Sequence, residues 1–145
     1  MSSPLILDSS PLSLLCYARQ QRTEVIAINQ WLQDRLAERT VVYLPEIADY
    51  EVRRELIRAR KFGSIRRLDV LRQTLAYLPL DSDTMRRAAE MWAQVRNQGL
   101  PTARDEALDA DVILAAQAEK VGAVIVTENA RHLSRLRPVT SWRTP

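Results

Sequence analysis

Short apolar runs alternate along the chain with longer stretches in which apolar residues recur every three or four positions. The runs at 5–7, 40–44 and 123–127 have the composition of short buried strands. The stretches at about 24–39, 46–61, 64–77, 81–97 and 109–120 have helical spacing. Strands separated by helices predict an α/β fold, a three-layer sandwich in which helices flank a central, mostly parallel sheet of four or five short strands.

Turn and cap signals set the boundaries of these elements. Ser9-Ser10-Pro11 is a typical helix start after the first strand, and Phe62-Gly63 predicts the break between two central helices. Leu78-Pro79-Leu80 predicts a short edge strand, because proline cannot donate to a ladder. Residues 98–102 predict a loop and residues 131–136 a short helix, after which we expect the chain to be loosely held.

Composition narrows the class of protein. A length of 145 residues, with 46% hydrophobic and 27% charged residues, fits one globular domain over 1–145. The single cysteine, Cys16, excludes an internal disulfide, and with the single histidine, His132, it cannot build a zinc site. The chain has neither a Gly-rich phosphate loop nor a G-x-S-x-G elbow, which argues against nucleotide kinases and serine hydrolases.

The N-terminus and the charge pattern bear on location and partners. The start has no basic n-region, and its apolar run is too short for a signal peptide or a membrane span, so we expect a cytoplasmic protein without a membrane partner. The net charge is +3, and basic residues crowd the segment 53–72. That segment is either a phosphate-attracting surface or an ordinary solvated helix face.

Three acidic residues follow apolar runs at points where helices begin. They are Asp8, Glu51 and Asp111. Parallel sheets bind ligands outside the carboxyl ends of their strands, so we expect these side chains to meet there. Carboxylates are hard ligands suited to Mg²⁺ or Mn²⁺, and a water held on such an ion can cut phosphodiester bonds. The simpler alternatives are turn chemistry for Asp8 and ion pairs with nearby arginines for Glu51.

Helical geometry selects among the neighbouring acids. In the helix beginning near residue 46, Glu51 and Glu55 fall on the apolar side, whereas Glu46 and Asp49 fall among polar neighbours. In the later helix, the stripe that carries Leu114, Ala115 and Ala118 also carries Asp111, so we place Asp111 facing inward in the first turn. Asp109 lies elsewhere and is predicted to be the N-cap. His132 is predicted to be a surface or substrate-facing residue rather than a ligand.

Four segments, in order, resemble the signature segments of PIN-domain proteins, and the nearest subgroup is the VapC-like toxin ribonucleases. They are Leu7-Asp8-Ser9-Ser10, Ile47-Ala-Asp-Tyr-Glu51-Val-Arg-Arg-Glu-Leu, Asp111-Val-Ile-Leu-Ala-Ala-Gln-Ala and Val126-Thr-Glu-Asn129. The resemblance covers nearly the whole chain. It implies the PIN fold and Mg²⁺- or Mn²⁺-dependent cleavage of RNA that leaves a 5′-phosphate and a 3′-hydroxyl.

By position, the resemblance makes Asp8, Glu51 and Asp111 the catalytic and metal-binding acids. It makes Ser10, Thr127 and Asn129 supporting residues. Members usually carry a further aspartate where this chain has His132. This departure leaves one or two metal ions open, with Asp109 or Glu128 as acids that could partly take the missing place.

The resemblance also implies partners. A small cognate antitoxin protein would occupy the cleft, and the chain would form a homodimer. Two other interpretations of function stay open at this point. One is a catalytically impaired PIN-like module that binds RNA or protein, and the other is a nuclease acting on DNA or a structured junction.

Overall fold

The computed structural model describes residues 2–99 and 105–143, in which helices and strands alternate. In chain order the elements are β1 (Leu5–Leu7), α1 (Ser9–Leu15), α2 (Thr23–Ala37), β2 (Val42–Pro45), α3 (Glu46–Arg58), α4 (Phe62–Thr74), β3 (Ala76–Leu78), α5 (Ser82–Asn97), α6 (Asp105–Val121), β4 (Val124–Val126), α7 (Ala130–Leu133) and β5 (Val139–Thr140).

The five strands form one parallel sheet in the order β3-β2-β1-β4-β5, which confirms the predicted fold class. The chain builds outward from β1 through β2 to β3, and then crosses to β4 on the other side of β1. This reversal of direction makes the gap between the carboxyl ends of β1 and β4 the topological switch point, where open α/β sheets bind ligands. Leu7 pairs with Val126, so Asp8 and Thr127 leave the sheet side by side.

The sheet separates two apolar layers. Leu7, Leu44 and Val126 pack with residues of α1, α2, α3 and α4 on one face. Ile6 and Ile125 pack with residues of α6 and α7 on the other face, where α5 covers α6. Alternate strand residues thus point to opposite layers, and burial of both faces explains why the strands are almost wholly apolar. Within the described part of the chain no helix has the length and apolar character needed to cross a membrane.

The break between α3 and α4 lies earlier than predicted. It falls at Ala59–Lys61, and Phe62-Gly63 is the first turn of α4. Arg60 has the positive φ of 55° that usually belongs to glycine, and the Lys61 amide donates to the Leu56 carbonyl across the turn. The Schellman geometry therefore forms on arginine, and the glycine that was expected to end the helix lies inside the next one.

Other boundaries also differ from the predicted ones. Helix α6 begins at Asp105 rather than at Asp109. The edge strand β3 is confirmed but lies at Ala76–Leu78, ahead of Pro79. Among the described residues, the segment after α7 is not loosely held, since β5 pairs with β4 and Trp142 is buried. The predicted loop at 98–102 lies mostly outside the described residues.

Candidate active site

Asp8 lies at the carboxyl end of β1 and is the N-cap of α1. Only 8% of its surface is exposed. Oδ1 accepts a hydrogen bond from the Ser9 amide at 2.7 Å, and Oδ2 accepts one from Thr127 Oγ1 at 2.6 Å. The expected turn chemistry is therefore present, but it uses only part of the carboxylate. Each oxygen has a further lone pair available for a ligand.

Thr127 links the ends of β1 and β4. Its side chain is 2% exposed, and its hydroxyl accepts a hydrogen bond from the Asn129 amide at 2.8 Å while donating to Asp8. Because an amide can only donate, the single hydroxyl proton is directed to Asp8. Asn129 begins α7 as its N-cap residue and contributes its backbone, whereas its side chain makes no capping bond. Thr127 through its hydroxyl, and Asn129 through its backbone amide, thus hold the Asp8 carboxylate in place.

Glu51 approaches the same place from α3, which follows β2 directly and packs against α1, α4 and α6. The side chain is half-buried. Burial and the negative charge of Asp8 raise the pKa of Glu51, and Arg54 opposes them with a smaller effect. The guanidinium of Arg54 lies 5.0 Å from the centre of the Tyr50 ring, and Arg58 pairs with Glu55 instead. The alternative interpretation of Glu51 as an ion-pair partner is therefore not what the structure shows.

Asp111 comes from the opposite side, in the second turn of α6. It is half-buried, and its stripe-mates Leu114, Ala115 and Ala118 are buried as predicted. Burial, Asp8 and Glu51, in that order, raise the pKa of Asp111 to about 7. Among the described residues, no basic group contributes to this shift. A carboxyl group buried among like charges is unfavourable when ionised, unless a cation is bound nearby.

The donor chemistry of these three acids fits a hard divalent cation. The charge of Asp8 raises the pKa of Glu51 and of Asp111, the charge of Glu51 also raises that of Asp111, and all three side chains bring oxygen donors only. Across residues 2–99 and 105–143, no group of three or more acidic, histidine or cysteine side chains is placed so that it could hold a metal ion. Oxygen donors suit Mg²⁺, which usually keeps several water ligands.

The remaining predicted acids lie elsewhere. Asp109 is exposed in the interior of α6, so its prediction as the N-cap is wrong, and it lines a groove with α5 rather than facing Asp111. Glu55 is exposed, not inward-facing. Glu46 accepts a hydrogen bond from the Leu80 amide at 2.7 Å. Asp49, predicted to be on the polar side, is buried in an ion pair with Arg53.

Ser10 and the C-terminal candidates have separate positions. Ser10 is exposed in the first turn of α1 and lines a groove that Glu51 also lines. His132 lies half-buried on α7, and it is not among the groups that shift the pKa of Glu51 or Asp111. Glu128 accepts hydrogen bonds from Trp142 Nε1 and Arg143. It is therefore held by the C-terminal segment and does not replace the missing fourth acid.

Gln117 is a positioning residue that was missed in the sequence. Its side chain is fully buried, with Nε2 donating to the Leu78 carbonyl at 2.9 Å and Oε1 accepting from the Ile47 amide at 3.4 Å. It thus connects α6, which carries Asp111, to the start of α3, which carries Glu51. A polar residue beside Ala115 and Ala118 on an otherwise apolar stripe was the available signal, because a buried amide requires partners.

The basic segment at 53–72 divides into two groups. Arg53 pairs with Asp49 and Asp69, Arg58 with Glu55, and Arg67 donates to the Leu15 carbonyl. These residues hold the fold together. In the described chain, Arg60, Lys61 and Arg66 make no ion pair, so a phosphate-attracting surface stays a prediction for these three residues alone.

Comparison with known proteins finds similarity of family and fold. A family model described as PIN domain matches residues 5–137. VapBC2 from Rickettsia felis, bound to a DNA fragment from its promoter, is similar with a TM-score of 0.74 and 15% identity over 96% of this chain and 98% of that one. VapC20 from Mycobacterium tuberculosis, a sarcin-ricin loop cleaving toxin, has a TM-score of 0.66 and 14% identity over 94% of this chain and 98% of that one. VapBC-1 from nontypeable Haemophilus influenzae has a TM-score of 0.64 and 19% identity over 95% of this chain and 97% of that one. No curated protein matches significantly.

Proposed function

The chain belongs to the PIN-domain family, and on that premise we propose that it is a metal-dependent endoribonuclease, the toxin of a type II toxin–antitoxin pair. The observation that carries the proposal is that the charges of Asp8 and Glu51 reach Asp111 and raise its pKa, while no basic group among the described residues lowers it. RNA as the substrate is supported by the similar fold of VapC20, a sarcin-ricin loop cleaving toxin.

We assign the three carboxylates to one Mg²⁺ or Mn²⁺ ion, held directly or through water. When bound, such an ion supplies a Lewis acid and an activated water for hydrolysis of a phosphodiester. The excess negative charge at the site is the feature that favours a divalent cation, because its binding would relieve the repulsion that raises the pKa of Asp111.

Different residues of this chain position the three carboxylates. Asp8 is held on both oxygens, by the Ser9 amide and by Thr127, so its free lone pairs have a fixed direction. Glu51 and Asp111 come from helices on either side, and Gln117 fixes those two helices relative to each other. Without a counter-charge, Asp111 is the carboxyl group that keeps a proton near neutral pH. The site is thus rigid at Asp8 and electrostatically unfavourable at Asp111 until a cation binds.

The proposed partners follow from the similar folds. VapBC2 from Rickettsia felis and FitAB, both bound to DNA, and VapBC-1 are among the structures that this chain is similar to. We therefore propose a small cognate antitoxin as the protein partner and a homodimer as the assembly. A protein of this kind would act in the cytoplasm.

The test combines metal binding with RNA cleavage on protein purified free of any partner. Titration calorimetry with Mn²⁺ is expected to show one binding event in the wild type and none in Asp111→Asn, because that change removes a carboxylate ligand. Cleavage of a labelled single-stranded RNA with Mg²⁺ or Mn²⁺ is expected to fall by about 10³-fold or more in the variant.

Asp109→Asn is the matched control, since it makes the same chemical change on the same helix at an exposed position that faces α5. It is expected to bind Mn²⁺ and cleave RNA like the wild type. If Asp111→Asn keeps metal-dependent cleavage, the assignment fails. If the wild type neither binds Mn²⁺ nor cleaves RNA, the chain is a non-catalytic PIN-like binding module.

A further inference from the structure

Two adjoining grooves run from the carboxylates along α1. The carboxylate groove, of about 270 Å³, is lined by Ser9, Ser10, Ser13, Glu51, Arg54 and Leu56 among others. The basic groove, of about 500 Å³, is lined by Ser13, Tyr17, Arg19, Leu56, Lys61 and Ser64 among others. Ser13 on α1 and Leu56 on α3 line both. The two grooves therefore form one continuous surface depression that starts at Glu51.

The charge changes sign along this depression. Glu51 and Glu55 line the near end together with Arg54, while Arg19 and Lys61 line the far end. Neither Arg19 nor Lys61 forms an ion pair within residues 2–99 and 105–143, so both charges are available to a ligand. Arg66 Nη2 lies 3.8 Å from the position that a Cβ would take at Gly63, which also lines the basic groove. Arg19 and Lys61 thus line the far end, and Arg66 lies beside it.

An aromatic ring lies among these cations. Tyr17 lines the basic groove, its hydroxyl accepts a hydrogen bond from Arg22 at 3.1 Å, and the Arg22 guanidinium lies 5.1 Å from the ring centre. The hydrogen bond and charge of Arg22, followed by the charges of Arg19 and Lys61, lower the pKa of Tyr17. The positive potential at this groove is therefore strong enough to act on a neighbouring group.

We infer that the basic groove is a binding subsite for single-stranded RNA, holding nucleotides on one side of the scissile bond. Arg19 and Lys61 contact phosphates, and Tyr17 provides a face for a base. A positively charged groove that tracks the backbone, together with aromatic side chains, is the usual way in which proteins bind single strands without reading sequence. The acidic and basic ends suit one strand whose phosphate reaches the carboxylates while its neighbours lie among cations.

The inference rests on the proposed nuclease function for its link to cleavage, so binding and cleavage are measured separately. The variant is Arg19→Ala/Lys61→Ala, and the control is Arg86→Ala/Arg87→Ala, which removes the same charge from α5. The probe for binding is a fluorescein-labelled oligouridine dodecamer, followed by anisotropy in metal-free buffer. Circular dichroism and thermal melting confirm that both variants fold.

The groove variant is expected to bind the dodecamer about tenfold more weakly at 100 mM salt. The slope of log affinity against log salt is expected to fall by about 1.4, because each phosphate contact on a single strand contributes roughly 0.7. Tyr17→Leu is expected to weaken binding by about tenfold without changing that slope, since it removes stacking and not charge. In cleavage assays KM rises and kcat stays within about twofold, because the carboxylates are untouched.

The outcomes separate this inference from the proposed function. Weakened dodecamer binding in a protein that cleaves no RNA supports the subsite while the nuclease proposal fails. Unchanged affinity and salt slope in the groove variant overturn the subsite even when cleavage is present. If the groove variant binds RNA like the wild type but no longer retains a co-expressed antitoxin, the groove is a protein-docking surface. This result also overturns the RNA subsite.

Discussion

Helix α6 carries two acidic side chains with opposite surroundings. Glu119, near the C-terminal end of α6, forms a bidentate ion pair with Arg87 on α5, with N–O distances of 2.8 and 3.2 Å. This pair lowers the pKa of Glu119. Asp111, about two turns earlier, faces burial and the charges of Asp8 and Glu51, which raise its pKa to about 7. One carboxylate is neutralised and joins two helices. The other lacks a counter-charge, and we attribute this to a role in holding a cation.

The same contrast separates two ends of the molecule. At the start of α5, Asp81 caps the helix through the Thr84 amide and pairs with Lys120, and these contacts lower its pKa. At the start of α1, Asp8 is also the N-cap, but it accepts from the amide of the next residue, Ser9, and its other oxygen accepts from a neutral hydroxyl. Two acids at helix starts thus differ in their second partner, a cation for Asp81 and a hydroxyl for Asp8.

Disrupting the support of Asp8 is expected to have the largest effect on this contrast. Thr127→Val removes the hydroxyl that donates to Asp8 and accepts from the Asn129 amide, while keeping the shape of the side chain. We expect kcat for RNA cleavage to fall by about 10- to 100-fold, the usual cost of losing an outer partner of a metal ligand. Thr127→Ser keeps the hydroxyl and is expected to stay within about threefold of the wild type. Equal losses in the two variants would contradict the role of the hydroxyl.

The stability of the metal-free protein tests the electrostatic part of the comparison. Asp111 titrates near 4 when unfolded and near 7 when folded, so the folded state binds more protons between these values. Stability in a chelating buffer should therefore fall as pH rises from about 4 to 7. Asp111→Asn is expected to flatten this dependence and to stabilise the protein at pH 7.5 by roughly 1–2 kcal/mol, reduced by solvent screening. Thermal melts of the wild type and of Asp111→Asn across this pH range test the prediction. A variant less stable than the wild type at pH 7.5 would refute it.

Glu119→Gln should have a smaller effect of the opposite sign. The pair with Arg87 is partly exposed, so its loss is expected to cost about 0.2–1 kcal/mol. The pKa of Glu119 is lower in the folded state than in the unfolded state. The wild type therefore has the added stability at pH values above the unfolded-state pKa, and loses it as pH falls through the folded-state pKa. Chemical denaturation at pH 7 and pH 3, with and without 1 M salt, measures it. An advantage that persists at pH 3 would show that the pair acts by packing.

Residues with local signals were predicted correctly from the sequence. Asp8 follows a short apolar run and precedes Ser-Ser-Pro, so its place between a strand and a helix was evident, although its role as the N-cap was not. Asp111 could be placed by its stripe with Leu114 and Ala118. The α/β class followed from the alternation of periods, which depends on burial on both faces of the sheet and therefore leaves a clear trace in the sequence.

Asp49 shows why other positions could not be predicted. A single apolar stripe was assumed for α3, but this helix packs against α1, α4 and α6, so its buried surface is wider and includes Asp49. The ion pair with Arg53 makes this burial tolerable, and Arg53 also pairs with Asp69. Because Arg53 lies on the same helix as Asp49, their pair gives no long-range signal in the sequence. Strand β5 was missed because a two-residue strand is too short to show a period.

The chain of hydrogen bonds from the Asn129 amide through Thr127 to Asp8 has a spectroscopic consequence. Its direction is fixed, because the first group can only donate and the last oxygen only accepts here. The Asn129 amide is a backbone proton whose chemical shift and hydrogen exchange can be followed in solution. This amide is therefore a reporter that lies two hydrogen bonds from the Asp8 carboxylate. Its signal would respond when a cation, an RNA strand or an inhibitor reaches Asp8, and none of these ligands would need a label.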